Sequence, residues 1–430
     1  MRAGRSPQHV LFATAYFPPY APGGAEHSTE ALAVALEERG IRVTVATPRL
    51  GPLRHPTLPV VTVAAGLRLR DGQELVRPRT FLRPDLQLRL ALGYSRAVRA
   101  RGATIVHCQN LAVLPAAFLA ARLRRVPIVV TVRDLAAVCP LAVCLLSQSR
   151  VPHDCGQVTL QRRCVDEYCR AYGTRRLRTR VSSLVGFAVA RLRARLLRHA
   201  DGRIFVGTDL ASLHRDAGLI DAGASAHVTG NIAAPAAVPA KDRDEGRYAV
   251  YAGKISVGKG FGVLLDALPQ IQERCGDFRL VCFGRADESW QRRIAASPSV
   301  DYRGSVARAR VLDAYRSARI AVVPSVWPEP LPRAVLEAQS AGVPVVATRS
   351  GGIADAVSDE HDGLLVQPGD PEALARAVTR LWDDEALRSR LAGNGRASVG
   401  QRFSADTVCS RTIAAYDEAL GRGQREGASP

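Results

Sequence analysis

The chain of 430 residues is longer than one hydrophobic core usually supports, so we expect two domains of about 200 residues each. Apolar residues make up 47% and charged residues 23%, which excludes extensive disorder outside the polar ends. The formal net charge of +19 indicates anionic partners, which are a phosphate-bearing substrate, nucleic acid or the negative inner leaflet of a membrane.

Neither a secretory signal nor a membrane span is predicted. The apolar run near the start, VLFATAYFPPY, is broken by Pro18 and Pro19 before a signal core is complete. No stretch of about 18 uninterrupted apolar residues occurs elsewhere. We therefore expect a soluble, cytoplasmic protein.

Short apolar runs alternate with helical patterns along the whole chain. The first series is strand 9–16, helix 26–40, strand 41–47, strand 103–109, helix 112–125 and strand 127–133. The second series is strands 202–208, 226–231 and 247–253, helix 262–275, strands 278–284 and 300–306, helix 309–318, strand 319–325, helix 333–342 and strands 343–350 and 362–368. This alternation predicts two doubly wound α/β domains with parallel sheets.

The domains are predicted at 1–200 and 201–395, with a C-terminal helix and tail at 396–430 that crosses back to the first domain. The stretch NIAAPAAVPAKDRDEG, residues 231–246, has the most linker-like composition. Ligands of open α/β sheets gather beyond the carboxyl ends of the strands. Two such domains facing each other would form a cleft.

Positive charge is concentrated between Arg170 and Ala200, where nine arginines and no acidic residue occur. A basic helix is predicted over 174–199. One face of that helix is apolar and consists of Leu177, Val181, Leu184, Val185, Ala188, Leu192, Leu196 and Leu197. Either this face docks on its own domain, or it contacts an anionic membrane. Nucleic-acid binding is disfavoured because aromatic residues for base stacking are sparse, at 5%.

The stretch GKISVGKG, residues 253–260, contains two of the three lysines in the chain, Lys254 and Lys259. It lies between a predicted strand and a predicted helix, an arrangement that binds phosphate through backbone N–H groups and the helix dipole. Residues 253–259 match G-x-x-x-x-G-K, but Gly260 stands where a P-loop needs Ser or Thr for magnesium. A glycine turn with solvated lysines is the plainer alternative, but it does not explain why lysine is concentrated here.

Glu329 and Glu337 lie in PEPLPRAVLEAQSAG and are separated by seven residues. Eight positions advance a helix about 80° beyond two full turns, so one helix would not align the two carboxylates. We expect Glu329 in the loop before the helix and Glu337 within its second turn. Both would then face a ligand at the helix N-terminus.

Together with GGAE near the start and GGIAD after the next strand, these motifs resemble retaining glycosyltransferases of family 4, which have the GT-B fold of two Rossmann-like domains. The resemblance extends from Tyr16 to about Val366. It implies that Lys254 and Lys259 bind the donor diphosphate, that Glu329 contacts the transferred sugar and that Glu337 holds the ribose. Gly23 and Gly24, together with Gly351 and Gly352, match the family's glycine turns, where the absence of a Cβ lets a backbone approach a ligand.

The chain departs from the family pattern at several positions. Lys254 replaces the usual arginine, and Leu331 and Pro332 replace phenylalanine and glycine after the first glutamate. Arg333 adds a further cation near the donor. Many relatives have a histidine at position 133, where this chain has Arg133 followed by Asp134.

An arginine cannot act as a base, so Arg133 either binds phosphate or acceptor, or the chemistry needs no base there. His107, at another strand end, is a second candidate for the cleft. It has the alternative interpretation of a half-buried histidine that is hydrogen-bonded to the backbone.

The resemblance implies transfer of a hexose-type sugar from a nucleotide-diphosphate sugar with retention of configuration, in the assembly of envelope polysaccharide, glycolipid or glycoconjugate. The expected partners are this donor and a sugar, glycolipid or phosphate-bearing acceptor. No cofactor and no catalytic metal are expected. The alternative is a non-catalytic protein that binds a nucleotide sugar or a polyanion. The sequence does not identify the base, the sugar or the acceptor.

Five of the nine cysteines are predicted to form a cysteine-rich insertion at 139–169. They are Cys139, Cys144, Cys155, Cys164 and Cys169. Structural disulfides are disfavoured in the cytosol. The spacing lacks a C-x-x-C pair, so a small structural metal site and a set of unpaired buried thiols both stay open.

Overall fold

The structure is a computed structural model, and it describes residues 7–20, 23–51, 53–63, 67, 78–143, 155–172, 174–220, 226–233 and 246–426. The chain forms two compact units. Unit 1 comprises residues 1–143, 181–232 and 405–430, and unit 2 comprises residues 144–180 and 233–404.

Unit 1 is built on a parallel sheet of seven strands. They are β1 (His9–Ala13), β2 (Arg42–Pro48), β3 (Val60–Val63), β4 (Ile105–Cys108), β5 (Ile128–Val132), β6 (Gly202–Phe205) and β7 (His227–Val228). Their order is β3-β2-β1-β4-β5-β6-β7, and Phe12 pairs with Val45 on one side and His107 on the other. Strands β1, β4 and β5 are buried at every position, as expected when helices cover both faces of a sheet.

The helices in this part of the chain connect the parallel strands or follow β5. They are α1 (Gly24–Glu37), a 3-10 turn (Pro78–Leu82), α2 (Pro84–Arg101), α3 (Leu114–Arg124), α4 (Gln157–Thr159), a π-helical turn (Leu160–Cys164), α5 (Val165–Tyr172), α6 (Arg176–Arg198) and α7 (Thr208–Asp216). Helix α2 begins at a proline and ends at Gly102, which adopts φ +63°. Both residues are common at these positions, because proline fixes the first turn and glycine tolerates the left-handed cap.

Unit 2 is built on a parallel sheet of six strands. They are β8 (Gly246–Ala252), β9 (Leu280–Phe283), β10 (Val300–Tyr302), β11 (Ala318–Val323), β12 (Val345–Thr348) and β13 (Leu364–Val366). Their order is β10-β9-β8-β11-β12-β13, so the direction of strand addition reverses between β8 and β11. Such a reversal leaves a crevice beyond the carboxyl ends of the two strands, where ligands of this class of sheet bind.

Between residues 246 and 404, which are all described, seven helices connect or follow these strands. They are α8 (Phe261–Arg274), α9 (Glu288–Ala295), α10 (Arg308–Ser317), α11 (Arg333–Ser340), α12 (Ile353–Ala356), α13 (Pro371–Asp383) and α14 (Glu385–Arg402). The apolar side of α8 packs with that of α13 in a core that includes Phe261, Leu264, Trp290 and Trp382.

The last helix, α15 (Ala405–Glu426), belongs to unit 1. It packs against α1, β5, β6 and β7. Its buried residues Ala415, Tyr416 and Ala419 share one core with Phe12 and Leu36. The chain end is therefore part of the first hydrophobic core.

Three boundaries differ from the sequence prediction. The described residues 155–172 and 174–180, which include most of the cysteine-rich insertion and the start of α6, belong to unit 2, although the first domain was predicted to contain them. Unit 1 extends to residue 232, past the predicted boundary at 200, because β6 and β7 continue the sheet begun by β1 and β5. The final helix begins at Ala405, later than 396, because α14 continues to Arg402 within unit 2. Most of the predicted linker, residues 234–245 with Lys241, lies outside the described residues.

The structure divides the predicted apolar face of helix α6: most of this face does not dock on the protein, whereas its members Leu196 and Leu197 are half-buried and buried. Leu177, Val181, Leu184, Val185 and Leu192 are exposed, whereas the opposite face, with Thr179, Ser183, Ala190, Ala194 and Leu197, is buried. Gly186 lies on the buried side, where an added Cβ would come within 2.8 Å of Pro140. The helix packs closely through small residues, and this contact leaves the larger apolar side chains outside.

The architecture of each unit is a doubly wound, Rossmann-like α/β sheet, as the alternation of strands and helices predicted. Among the described residues, we find no helix with the length and hydropathy needed to cross a bilayer.

Candidate functional site

The glycine loop, residues 253–260, joins β8 to α8 in unit 2. The N–H groups of Gly253 and Ile255 donate to the carbonyl oxygens of Phe283, the last residue of β9, and of Arg285 just after it. Gly260 caps α8 with φ +68°, and an added Cβ would lie 1.6 Å from the carbonyl oxygen of Pro324. Only glycine satisfies both constraints, because a side chain would be strained by the dihedral angle and would collide with the backbone.

A second loop, residues 324–332, follows β11 and lies directly against the glycine loop. The carbonyl oxygen of Gly258 accepts hydrogen bonds from the N–H groups of Val326 (3.0 Å) and Trp327 (3.2 Å). The indole of Trp327 covers Gly258 so closely that an added Cβ would lie 2.3 Å from the ring. These contacts fix the lysine of one loop relative to the glutamate of the other.

Lys259 and Glu329 form an ion pair across the two loops. The ammonium of Lys259 lies 2.6 Å from Oε1 and 2.7 Å from Oε2 of Glu329. The hydroxyl of Ser325 donates to Oε1 of the same carboxylate at 2.9 Å. Glu329 is buried and the Lys259 side chain is 39% exposed, so the ammonium is the accessible end of the pair.

Lys254, the other lysine predicted to bind the donor diphosphate, is not in the ion pair with Glu329. It is exposed, and its carbonyl oxygen accepts a 2.9 Å hydrogen bond from the Tyr251 hydroxyl. The pKa of Asp287 is held below its usual value first by the hydrogen bond from the Ser289 side chain, then by the backbone N–H groups of Trp290 and Ser289, and least by the charge of Lys254. Asp287 caps α9 through these bonds.

Gly351 and Gly352 support the backbone of Glu329. The N–H of Gly352 donates to the Glu329 carbonyl oxygen at 2.6 Å, and Gly351 adopts φ +56°. A Cβ at Gly352 would lie 2.0 Å from the carbonyl oxygen of Pro330. Gly352 was predicted to lie where a backbone approaches a ligand in the cleft, and in the structure it packs against the backbone of Glu329 and Pro330 in unit 2.

Glu337 lies in the second turn of α11, as predicted, and is held by two arginines. Its Oε1 accepts from Nε of Arg308 at 2.9 Å and from Nε of Arg333 at 3.2 Å. Arg333 is the first residue of α11 and Pro332 is its N-cap, preceded by the buried Leu331. Two guanidinium groups that share the Glu337 carboxylate thus lie at the first turns of α11, where the helix dipole also favours negative charge.

In unit 1, Gly23 and Gly24 begin α1. The N–H of Gly23 donates to Oε2 of Glu26 at 3.1 Å. Burial raises the pKa of Glu26, while its own N–H, the charge of Arg133 and the Gly23 N–H lower it. Burial and the neighbouring Glu26 raise the pKa of Tyr16 to about 12.

Arg133 follows β5 and is positioned by two amides. Its guanidinium donates to Oδ1 of Asn231 at 2.6 Å and to Oε1 of Gln109 at 3.2 Å. Asp134 is half-buried and accepts a 2.8 Å hydrogen bond from the Ala136 N–H. Burial raises the pKa of Asp134, and the Ala136 N–H and Arg193 partly oppose that shift.

His107 is fully buried and does not line an accessible site, so its assignment as a cleft residue is wrong. Its Nδ1 lies 2.6 Å from the hydroxyl of Tyr416 and its Nε2 lies 2.6 Å from that of Thr131. Gln109 donates to the same Nδ1 at 3.1 Å. Burial and the charge of Arg133 lower the pKa of His107 to about 3, so the imidazole is neutral.

Sequence reasoning missed four residues that shape these sites. Ser325 and Trp327 position the loop of Glu329, Arg308 holds Glu337, and Gln109 connects Arg133 to His107. Gln109 and Ser325 are the last residues of predicted strands, and Trp327 directly precedes the stretch PEPLPRAVLEAQSAG. Arg308 is 29 positions from its partner and no local pattern marks it.

The cysteine-rich insertion is only partly described. Cys144 lies outside the described residues, Cys155 is exposed, Cys164 is buried, and Cys139 and Cys169 are half-buried. The Thr174 hydroxyl lies 3.4 Å from the sulfur of Cys169. Among the described residues, no group of three or more His, Cys, Asp or Glu side chains could hold a metal ion. A metal site in the insertion would therefore need Cys144 or another residue outside them.

The two parallel sheets, with a glycine loop and an E-x7-E segment at the carboxyl ends of β8 and β11, define a protein of the GT-B glycosyltransferase class. Residues 246–384 match the model of glycosyl transferases group 1, and residues 22–224 match that of glycosyltransferase family 4. The chain belongs to the family 4 glycosyltransferases.

One curated relative is similar in sequence, and two solved structures are similar in fold. A phosphatidyl-myo-inositol mannosyltransferase of Mycobacterium leprae is 33% identical over 169 residues, which are 39% of this chain and 45% of the relative. Sucrose-phosphate synthase of Thermosynechococcus elongatus has a TM-score of 0.71 at 21% identity and 96% and 100% coverage of the two chains. Anabaena HepE, solved with UDP and glucose, has a TM-score of 0.67 at 18% identity and 95% and 99% coverage. The chain matches less than half the length of the curated relatives.

Proposed function

We propose that this protein transfers a hexose-type sugar from a nucleotide-diphosphate sugar to an acceptor, with retention of configuration. The observation that carries the proposal is the Lys259–Glu329 pair, at 2.6 Å, beside the N-terminus of α8. A fixed cation and a helix N-terminus stabilise negative charge. Negative charge grows on the diphosphate of the donor as its bond to the sugar breaks.

The residues of unit 2 have separate roles in this proposal. Lys259, with Lys254 and Arg333 as further cations, stabilises the leaving diphosphate. Glu329 contacts hydroxyl groups of the transferred sugar, and Glu337 holds the ribose. Lys259 and Ser325 orient the Glu329 carboxylate through the contacts that they make with its two oxygens.

The donor and the acceptor are proposed only by class. HepE was solved with UDP and glucose, which favours a uridine nucleotide as the first donor to test. The name of the mycobacterial relative, a phosphatidyl-myo-inositol mannosyltransferase, and the cationic Arg133 in unit 1 both favour a phosphate-bearing or glycolipid acceptor. Gly23 and Gly24 begin a helix whose N-terminus suits a phosphate of either substrate. We propose that the reaction takes place on the cytoplasmic side of the membrane, in polysaccharide, glycolipid or glycoconjugate assembly.

The donor is tested by thermal shift with UDP-, GDP- and ADP-sugars. A donor at one hundred times its dissociation constant should add about 2.7 kcal/mol to the free energy of unfolding. Release of the nucleoside diphosphate is then measured with inositol phosphate and glycolipid acceptors. Binding without any turnover across these acceptors would instead support a non-catalytic protein that binds nucleotide sugars.

Retention and metal independence are tested on the active pair of substrates. The anomeric proton coupling of the product, measured by NMR, should show the donor's configuration. Activity should persist in excess chelator, because the proposal assigns stabilisation of the leaving diphosphate to cationic side chains in place of a metal ion. An inverted product would contradict the first expectation, and a strict requirement for added magnesium would contradict the second.

A further inference from the structure

We propose that the exposed apolar face of α6 binds the surface of an anionic lipid membrane. This face consists of Leu177, Val181, Leu184, Val185, Ala188 and Leu192. The five larger side chains are between 44% and 76% exposed. Contiguous apolar surface of this kind on a protein marks an interaction site, since exposed leucine and valine side chains usually occur singly.

The placement of these side chains reverses the usual amphipathic pattern of a surface helix. Thr179, Ser183, Gly186, Ala190 and Ala194 face the protein, although they are small or polar. The larger apolar residues recur three and four positions apart on the opposite side. A helix that served only the internal core would bury leucine and valine and expose threonine and serine.

Exposed arginines stand near both ends of this helix. They are Arg176 and Arg178 in the first turn and Arg191, Arg195 and Arg198 in the last turns. Arg176 is paired with Asp166 of the preceding helix, and no acidic residue occurs between Arg170 and Ala200. An apolar strip bordered by cations is the composition of helices that lie in a membrane interface. The apolar side chains enter the acyl boundary while the guanidinium groups bind lipid phosphates.

Charge complementarity favours this partner over two others. A second copy of the chain would bring the arginine-rich borders of two helices together, which costs free energy through like-charge repulsion. Nucleic acid would use the arginines but would leave the leucines and valines exposed. Single-strand binding also needs stacking aromatic side chains, and the one aromatic residue of the helix, Phe187, is half-buried.

The test is flotation of the full chain with vesicles of phosphatidylcholine alone and with about one quarter phosphatidylglycerol. The protein should float with the anionic vesicles and stay behind with the neutral ones. Two double variants are compared with the wild type: Leu184→Ser with Val185→Ser, and Arg191→Gln with Arg195→Gln. Each should lower partitioning to the anionic vesicles by about tenfold or more.

The control is Leu88→Ser with Leu92→Ser on α2, since these leucines are exposed to a similar extent and lie on another helix. It should float as the wild type does. All variants alter exposed side chains, so their melting temperatures should match the wild type and exclude misfolding.

The inference would be overturned if the wild type floated equally with neutral and anionic vesicles. It would also be overturned if both α6 variants floated with the anionic vesicles as well as the wild type does. A second result would also overturn the inference: the wild type does not float with vesicles but self-associates in their absence, and the Leu184 and Val185 changes abolish that self-association. The face would then bind a second copy of the chain. The inference does not depend on the proposed function, because vesicle binding is measured without donor or acceptor.

Discussion

The ammonium of Lys259 lies 2.6 Å from the carboxylate of Glu329, which is 70 positions away in the chain. The contact joins the loop after β8 to the loop after β11, at the point where the strand order of the unit 2 sheet reverses. A hydrogen-bonded contact between the loops at Gly258, Val326 and Trp327 maintains it. The pair is therefore set by backbone packing as well as by charge.

Replacement of Lys259 by alanine should lower kcat by about 100-fold or more, because the developing charge on the diphosphate would lose its nearest fixed cation. Steady-state release of the nucleoside diphosphate measures this effect. Arg274→Ala, at the far end of α8, is the matched control and should keep wild-type turnover. A Lys259→Ala protein with kcat within twofold of the wild type would remove this residue from the mechanism.

Replacement of Arg308 by alanine should raise the donor KM several-fold while kcat changes less. Glu337 would lose its contact with Arg308 and keep the one with Arg333, so it would hold the ribose in a less defined position. Arg310→Ala, on the same helix and exposed, controls for the loss of one positive charge. Equal KM values for the Arg308 and Arg310 variants would show that the Arg308 contact does not position the donor.

Replacement of Gly260 by alanine should lower the free energy of unfolding by about 3 kcal/mol or more. The new Cβ would sit in a left-handed backbone and 1.6 Å from the Pro324 carbonyl oxygen, so the two loops would have to move apart. Gly276→Ala is the control, because nothing lies within 4 Å of its Cβ position. Urea unfolding of both variants measures the difference, and similar losses in the two would contradict the expected collision.

The buried histidines should make the protein less stable in mild acid. The pKa of His107 is lowered to about 3 and that of His214 to about 4, mainly by burial, whereas an unfolded histidine titrates near 6.5. The unfolded state therefore binds more protons below pH 6.5, and stability falls as the pH falls through that value. Each histidine should cost about 2 kcal/mol at pH 5 relative to pH 7.

The His107→Gln variant separates this effect from that of the carboxylates. Its unfolding free energy should decrease by about 2 kcal/mol less than that of the wild type between pH 7 and pH 5, whatever its stability at pH 7. Identical pH dependence in the two proteins would mean that His107 is protonated in the folded state.

The sequence by itself determined the class of fold and indicated the residues that we propose for the donor site. Continuous apolar runs separated by amphipathic segments specify parallel strands covered by helices, and this pattern is local. The glycine loop and the E-x7-E segment are also local motifs. The structure places Lys259 against Glu329 and Arg333 against Glu337 in unit 2, while their roles toward a donor stay a prediction.

Only the tertiary structure decided which side chains are accessible and which pair. His107 and Arg133 both stand at strand ends, yet one is fully buried and neutral while the other is held by Asn231 and Gln109. The apolar face of α6 follows from periodicity, but its exposure depends on the close contact at Gly186 and Pro140. Burial and pairing arise from contacts between residues far apart in the chain, and a local pattern carries no information about them.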